Sequence, residues 1–597
     1  MFLQRLTEYA ERLDLPPTLY AEAPVRYIIE LDGSGQPLSP EPTDTADPSS
    51  PRTRRGQPRR VPRVQRAVKI RPLLLADNAE YTLGLAREGS RPERVAECHR
   101  AYMEQLGRCA SITGNPVVQA IHRFLQNEPL AHLHLAEDFD RGESITFRVD
   151  GQFAVDLPAV QAFWASENDP DADPKRPAPT MQCIVCGERR PVLRRLQAKV
   201  KGIPGGQTSG TAIISANAAA FESYGLEESL IAPTCARCGE RFTLAINDLL
   251  ADRAKHIVLG NAALVFWTRE QHPFSLRHFL DDPQPAEVAE LVESVRRGGA
   301  MPAIDCTSFY AAILSASGGR AVVRDWIDTT VSEVKRHLAH WFRRQRIVGN
   351  WGEEPRPLGI YALSAATVRD VQKELAPPTP RHLWRAALTA TPLPPGLLYQ
   401  AVRRNRAEQG ITYPRAVLIK LVLCSRPLLD AGYNEMEERM VQLDPQNTTP
   451  AYLCGRLLAV IEAAQRLALP GIKATVVDRF FGTASSAPAT VFGSLLRGVQ
   501  PHLAKLKRDR PGAYSALQQR LEEIQAALSS YPRTLNLEEQ ALFALGYYHQ
   551  RAHDRAQARE AAARRRAGTP LPTTIDGIAE LADDTPVNDT HEEDHNG

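Results

Sequence analysis

The pattern of apolar and polar positions changes character several times along this chain, and each change predicts a different kind of element. Phe2, Leu6, Tyr9 and Leu13 recur at helical spacing, so an amphipathic helix is expected to open the chain. VRYIIELD, from Val25 to Asp32, alternates with period two and runs into Gly33-Ser34-Gly35, the pattern of a strand and a turn. Residues 36–64 are rich in Pro, Ser, Thr and Arg and offer too little apolar surface to fold alone. Order is expected to resume at VKIRPLLLADNAEYTLG, and a second linker spans 168–180. Further on, Val323, Ile327, Val331, Val334, Leu338, Trp341 and Phe342 mark one helix face. Leu453, Leu457, Ile461 and Ala464 mark another, as do Tyr514, Leu517, Leu521, Ile524 and Leu528. Asn536 and Glu539 have the spacing of a capping box. Beyond Arg566 the chain is polar and acidic, and disorder is expected.

These patterns predict a multidomain α+β protein. An N-terminal α+β region covers 1–167, and a segment with a long insert covers 181–300. A mixed or helical middle covers 301–430, an all-α bundle 431–566, and an acidic tail 567–597. With 43% apolar and 24% charged residues the chain is of ordinary globular composition. The net charge of +2 conceals an uneven spread, because Arg52 to Arg71 holds nine Lys/Arg and no acid. That arm suits phosphate neutralisation and equally a solvated linker. MFLQRLTEYAERL is charged and amphipathic, unlike a secretory leader, and the longest apolar run, IVLGNAALVFW, is too short for a bilayer. A cytoplasmic protein is expected.

The strongest chemical signal is a repeat. CIVCGERR begins at Cys183 and CARCGERF at Cys235, with 48 residues between the pairs. Cys183, Cys186, Cys235 and Cys238 can supply four thiolates to one tetrahedral Zn²⁺, and four thiolates leave no open position for catalysis. One structural zinc ion is therefore expected. Cys98, Cys109, Cys306, Cys424 and Cys454 suit small buried roles. The insert holds KVKGIPGGQTSGTAIISAN, where Gly202, Gly205, Gly206 and Gly210 permit close backbone approach. Lys199 and Lys201 add charge, and Gln207, Thr208, Ser209 and Asn217 add uncharged donors. The set suits a nucleic-acid backbone or groove edge, and it also suits a Gly-rich turn with solvated lysines. No Gly-Lys step exists for a nucleotide-binding P-loop. His553-Asp554 stands on a polar helix and is expected at the surface. No catalytic constellation can be argued from spacing. The residues describe a metal-stapled nucleic-acid binder, with a metal-dependent nuclease or other nucleic-acid-processing enzyme, and a free-standing zinc-ribbon transcription factor, as alternatives.

Several longer blocks carry a resemblance. DNAEYTLG, KVKGIPGGQTSGTAIISAN, AFESYGLE, LVFW, VRDWIDTTVSEV, DRFFGTASSAPATVF and GYYHQR occur in this order. Together they resemble the Csd-type large subunit of type I-C CRISPR surveillance (Cascade) complexes, a prokaryotic antiviral defence. The resemblance implies a non-enzymatic subunit that joins a guide RNA, backbone subunits and a crRNA-processing subunit. Such a subunit probes double-stranded DNA for the protospacer-adjacent motif, aids strand separation and recruits a helicase–nuclease. It makes Asn78, Lys199, Lys201, Gln207, Ser209 and Asn217 candidates for contact with target DNA. It also implies that the C-terminal bundle can be made separately as the small subunit, from a start such as Met440. Lys505, Lys507, Arg508 and Arg510 are then candidates for holding the displaced strand. The double C-x-x-C and the Pro/Arg arm look like local elaborations.

Overall fold

The computed structural model describes every residue except 18, 48, 51–52, 65–69, 169–177, 197, 217, 299–305, 426–436 and 567–597. The acidic tail and most of the 168–180 linker thus lie outside the described residues. The architecture is α+β, as the patterning predicts. The chain divides into two units, residues 1–200 with 212–247 and residues 201–211 with 248–597.

In the first unit, α1 (Phe2–Ala10) buries Leu6 and Tyr9. β1 (Tyr20–Val25) and β2 (Tyr27–Leu31) follow, and the turn falls at Gly33-Ser34-Gly35 as expected. Gly35, at φ +92°, donates its N–H to the Asp32 carbonyl at 3.0 Å. The central sheet has the order β3 (Thr43–Asp44), β2, β6 (Ile145–Val149), β5 (Ala76–Asp77), with β7 (Gln152–Phe153) paired to β6. β2 and β6 are parallel, from Tyr27↔Ile145 to Leu31↔Val149. Parallel neighbours need a crossover, and here it contains α2 (Ala79–Thr82), α3 (Pro92–Thr113), α4 (Pro116–Gln126) and α5 (Pro129–His132). Ile29, Phe147 and Val149 share a core with Tyr102, Leu106, Ile121, Phe124 and, on α6 (Pro158–Glu167), Trp164. Full burial of such a side chain contributes about 1.5–3 kcal/mol.

The 36–64 segment departs from expectation. It contains β3 and β4 (Gln57–Pro62), and β4 pairs with β1 from Tyr20↔Pro62 to Val25↔Gln57. The segment lacks apolar surface of its own, but β1 supplies a ready ladder, and Val61 is buried against it. β8 (Thr180–Gln182), β9 (Arg189–Pro191) and the start of α7 (Ala236–Ala251) carry the paired cysteines.

In the second unit, β10 (His256–Leu259), β11 (Ala262–Thr268), β12 (Ser308–Ser317) and β13 (Arg320–Thr330) form an antiparallel meander. α8 (Leu276–Leu280) and α9 (Pro285–Gly298) lie between β11 and β12 in sequence. β13 corrects the periodicity reading: Val323 and Ile327 lie on a strand, and the helix face begins only at Val331. A spacing of four fits both a helical turn and a period-two strand, so it cannot choose between them. Thr330 decides the boundary by capping α10 (Val331–Gln345), its hydroxyl accepting the Glu333 N–H at 3.3 Å. Leu338, Trp341 and Phe342 then pack with Phe266 and Ile313 of the sheet.

α11 (Ile360–Ala365), α12 (Val371–Glu374), α13 (Pro378–Thr389), α14 (Pro395–Glu408) and α15 (Tyr413–Ser425) continue the second unit, and α15 is buried along its whole length. Its Lys420 ammonium donates to the Arg346 carbonyl at 2.5 Å, while burial lowers its pKa to about 8. The predicted bundle comes next as α16 (Pro450–Ala468), α17 (Val476–Ala484), α18 (Pro488–Asp509), α19 (Pro511–Ala527) and α20 (Leu537–Arg566). The capping box is present, with Asn536 and Glu539 exchanging bonds of 2.8 and 2.9 Å. Leu453, Leu457, Ile461, Phe492, Leu503 and Leu517 lie in a core whose fully buried residues all come from the bundle. α16 and α20 approach so closely that a Cβ on Gly455 would lie 2.0 Å from the Phe543 carbonyl oxygen. One on Gly546 would lie 2.1 Å from that of Tyr452.

Two smaller expectations fail. Asp554 is buried, because Gln550 and Arg520 satisfy its carboxylate inside the bundle. Cys306 is exposed, whereas Cys98, Cys109, Cys424 and Cys454 are buried.

Candidate metal centre and nucleic-acid interface

The first Cys pair sits in a hairpin. β8 and β9 pair from Thr180↔Pro191 to Gln182↔Arg189, and Cys183 and Cys186 occupy the turn between them. Gly187, at φ +76°, lets the chain reverse so that its N–H reaches the Cys183 carbonyl at 2.9 Å. The second pair sits where α7 begins, Cys235 just before it and Cys238 in its first turn. Ile184 N–H bonds to the Pro233 carbonyl and Leu193 N–H to that of Thr234, each at 2.9 Å, so the two segments are laced together.

The four sulfur atoms all lie within 4.8 Å of one another, and three of the four residues are buried. The Cys235 N–H points at the Cys183 sulfur from 3.5 Å. Burial raises the Cys183 pKa, but backbone N–H groups of Cys186, Cys235 and Val185 prevail and bring it down to about 7. Burial raises those of Cys235 and Cys238, and the neighbouring Cys183 charge raises both further. A cation would relieve that crowding of like charge, and this donor set fits one ion of thiolate-preferring type.

The Gly-rich loop belongs to the second unit. Pro204 and Gly205, the latter at φ +72°, have the order of a type II turn, closed by the Gly206 N–H on the Ile203 carbonyl at 3.0 Å. A second turn brings the Gly210 N–H to the Gln207 carbonyl at 2.9 Å. The loop rests on the hairpin ends of the meander. A Cβ on Gly205 would lie 3.8 Å from Asn261 Oδ1, and one on Gly206 would lie 3.6 Å from Ala316 Cβ. The Gln207 amide reaches Gly319 in the β12–β13 turn. Gln207, Thr208 and Ser209 are exposed, as is Lys201 before them. Asn261 and Gly319 are therefore parts of this surface that spacing did not suggest. The signal was present in Gly260-Asn261, which divides IVLGNAALVFW into two strands.

The other candidates are placed differently. Lys199 belongs to the first unit, where its carbonyl accepts the Asn247 amide at 3.1 Å. Asn78 caps α2, with its side-chain oxygen accepting the Tyr81 N–H at 3.4 Å. Asn217 lies outside the described residues. Lys505, Lys507 and Arg508 stand exposed near the end of α18, with Arg510 half-buried at the junction to α19. Lys505 donates to the Ala468 carbonyl at 2.7 Å and Arg508 pairs with Asp509 at 2.7 Å, so part of that charge is engaged locally.

The basic arm is not a free run of cations. Arg55 pairs with Glu143 at 2.9 Å, Arg59 with Asp156 at 3.0 Å and Arg60 with Asp14 at 2.6 Å. Over the described residues the flexible-linker reading yields to a strand, with three of the arm's arginines engaged in ion pairs.

No described helix is long and apolar enough to cross a membrane. No curated protein matches the chain. The model of the CRISPR-associated protein family Cas_Csd1 matches residues 4–554, so the chain belongs to that family, the Csd-type large subunits of type I-C Cascade complexes.

Proposed function

We propose that this subunit recognises the motif beside the target in duplex DNA, aids strand separation and offers a docking surface to the helicase–nuclease, without being an enzyme itself. The Gly-rich loop carries the reading. Its two turns hold Gln207, Thr208 and Ser209 in solvent on a rigid sheet end, with backbone slim enough to approach a groove. Uncharged donors of this kind read base edges, while Lys201 positions phosphate. Such economy suits a protein whose target sequence is read by guide pairing. In the same reading the four cysteines hold a structural Zn²⁺. The bundle's own core supports its separate use as a small subunit that steadies the displaced strand.

The test uses the guide-loaded complex and target duplexes differing only in the flanking motif. Joint replacement of Gln207 and Ser209 by Ala should abolish motif preference yet spare binding to a target whose strands are already parted. Lys201→Ala should weaken all targets alike and flatten the salt slope by about 0.9. Motif preference that survives the double replacement refutes the assignment. Mg²⁺-dependent cleavage by the purified chain would favour the nuclease alternative.

A further inference from the structure

AFESYGLE has no part in motif recognition by the Gly-rich loop, yet it forms one of the most distinctive features of the surface. Ser223 and Leu226 face each other across a two-residue turn, with the Leu226 N–H on the Ser223 carbonyl at 2.9 Å. Both central residues have positive φ, Tyr224 at +54° and Gly225 at +69°. This is a type I′ arrangement, where Asn, Asp or Gly is the normal occupant of the first central position. A tyrosine there is strained, and it gains nothing from packing, being 99% exposed. Phe221, three residues earlier, is 48% exposed. Strain held in place without a folding benefit points to a use outside the folded chain.

The loop is also tied on both flanks by backbone bonds. The Phe221 N–H bonds to the Ala218 carbonyl at 2.9 Å, and the Ser229 N–H to that of Arg194 at 2.9 Å. Its charge decides the class of partner. Glu222 and Glu227 are exposed on either side of the tip, and Glu228 is neutralised by Arg195. Residues 218–231 contain no Lys or Arg. Two carboxylates beside the tip repel phosphate, which disfavours nucleic acid, and attract cations. A rigid aromatic with an acidic rim is the form of an interface anchor.

We propose that Tyr224, aided by Phe221, enters an apolar pocket rimmed by Lys or Arg on a protein partner of the complex. The inference rests on membership of a multi-subunit complex and not on the DNA-motif reading.

The experiment assembles the full chain, as wild type or carrying Tyr224→Ala, Tyr224→Phe, Tyr224→Gly or the pair Glu222→Lys and Glu227→Lys. Partners are the purified guide-bearing backbone and processing subunits and the purified helicase–nuclease. Affinities come from biolayer interferometry, target-duplex binding from gel shifts, and stability from thermal melts. Tyr224→Ala should weaken one protein partner by at least about tenfold, with Tyr224→Phe close to wild type. The charge-reversed pair should slow association with the same partner. Tyr224→Gly is decisive, since it should melt no lower than wild type, its turn being relieved, and still bind that partner poorly. Unchanged affinity for every protein partner overturns the proposal, as does a loss confined to target DNA. Loss of motif preference in the Gln207 and Ser209 variant bears on the other reading alone.

Discussion

At the residue scale, one side chain can serve the fold and still be open to solvent. Asn78 is a candidate contact by its place in a family block, and in the structure its side-chain oxygen also accepts the Tyr81 N–H as a helix cap, a use that the sequence did not suggest. The exposure of Gln207 and Ser209 agrees with their glycine-rich spacing, whereas the place of Asn261 beside them depends on the β10–β11 turn. Gly455 and Gly546 were illegible, since nothing local marks a glycine whose neighbour is another helix. Gly546→Ala should destabilise the protein by about 1–3 kcal/mol in urea unfolding, because backbone stands where the methyl group must go. His549 supplies a pH prediction. Its Nδ1 lies 3.0 Å from the Tyr452 hydroxyl, and burial lowers its pKa to about 3. The unfolded chain, with an ordinary value near ~6.5, binds a proton that the folded chain refuses, so this contribution is complete above that value and is lost as pH falls below it. Between pH ~7.5 and ~5.5 the loss from this one group is on the order of 1 kcal/mol, and His549→Gln should remove that share of the slope. Paired unfolding curves at the two pH values check it.

At the element scale, the cysteine pairs were the most legible part of the chain, because C-x-x-C-G states both ligand spacing and turn. Their setting was less so: one pair rides a hairpin and the other the start of a helix, a difference set by the residues just C-terminal to each motif. Arg189-Arg190-Pro191 pairs back on Thr180–Gln182, while Phe242, Ala245, Ile246 and Leu249 give α7 a buried face. Metal removal should therefore act locally. Chelation, or Cys235→Ser, should release one metal ion per chain by elemental analysis. Amide exchange around β8, β9 and the start of α7 should accelerate by on the order of tenfold or more, equivalent to ~1.4 kcal/mol of local stability, with the α16–α20 bundle unaffected. Equal acceleration in the bundle contradicts a local clamp. The β13–α10 junction teaches a complementary lesson. From Val331 onward the apolar positions face inward on a helix as the spacing predicts, whereas upstream a strand shares the spacing of a helix and a bulge near Ile313/Leu314 shifts its register.

At the scale of the whole molecule, the α+β class and the helical C-terminal bundle followed from periodicity, while the partition of the chain into units did not. The Gly-rich loop is the reason. It lies between the cysteine pairs in sequence but belongs with the meander, so contacts distant in sequence decide its membership. The bundle is different, being sequence-contiguous with a core of its own. A fragment covering Pro450–Arg566 should fold cooperatively, with helical circular dichroism and a stability of about 5 kcal/mol, the low end for a domain. A broad, non-cooperative melt contradicts it. The fragment would not be complete, however, because α20 serves two cores. Phe543 and Tyr547 pack into the bundle, whereas Ala541, Ala544, Leu545 and Tyr548 pack with Trp341, Tyr413 and Met440. An amide in the middle of α20 is thus shielded from solvent by two bodies that can each breathe alone. Deuterium reaches it freely only when both have opened, so the middle of α20 should be the last part of the second unit to exchange, a timer slower than either neighbour alone would set.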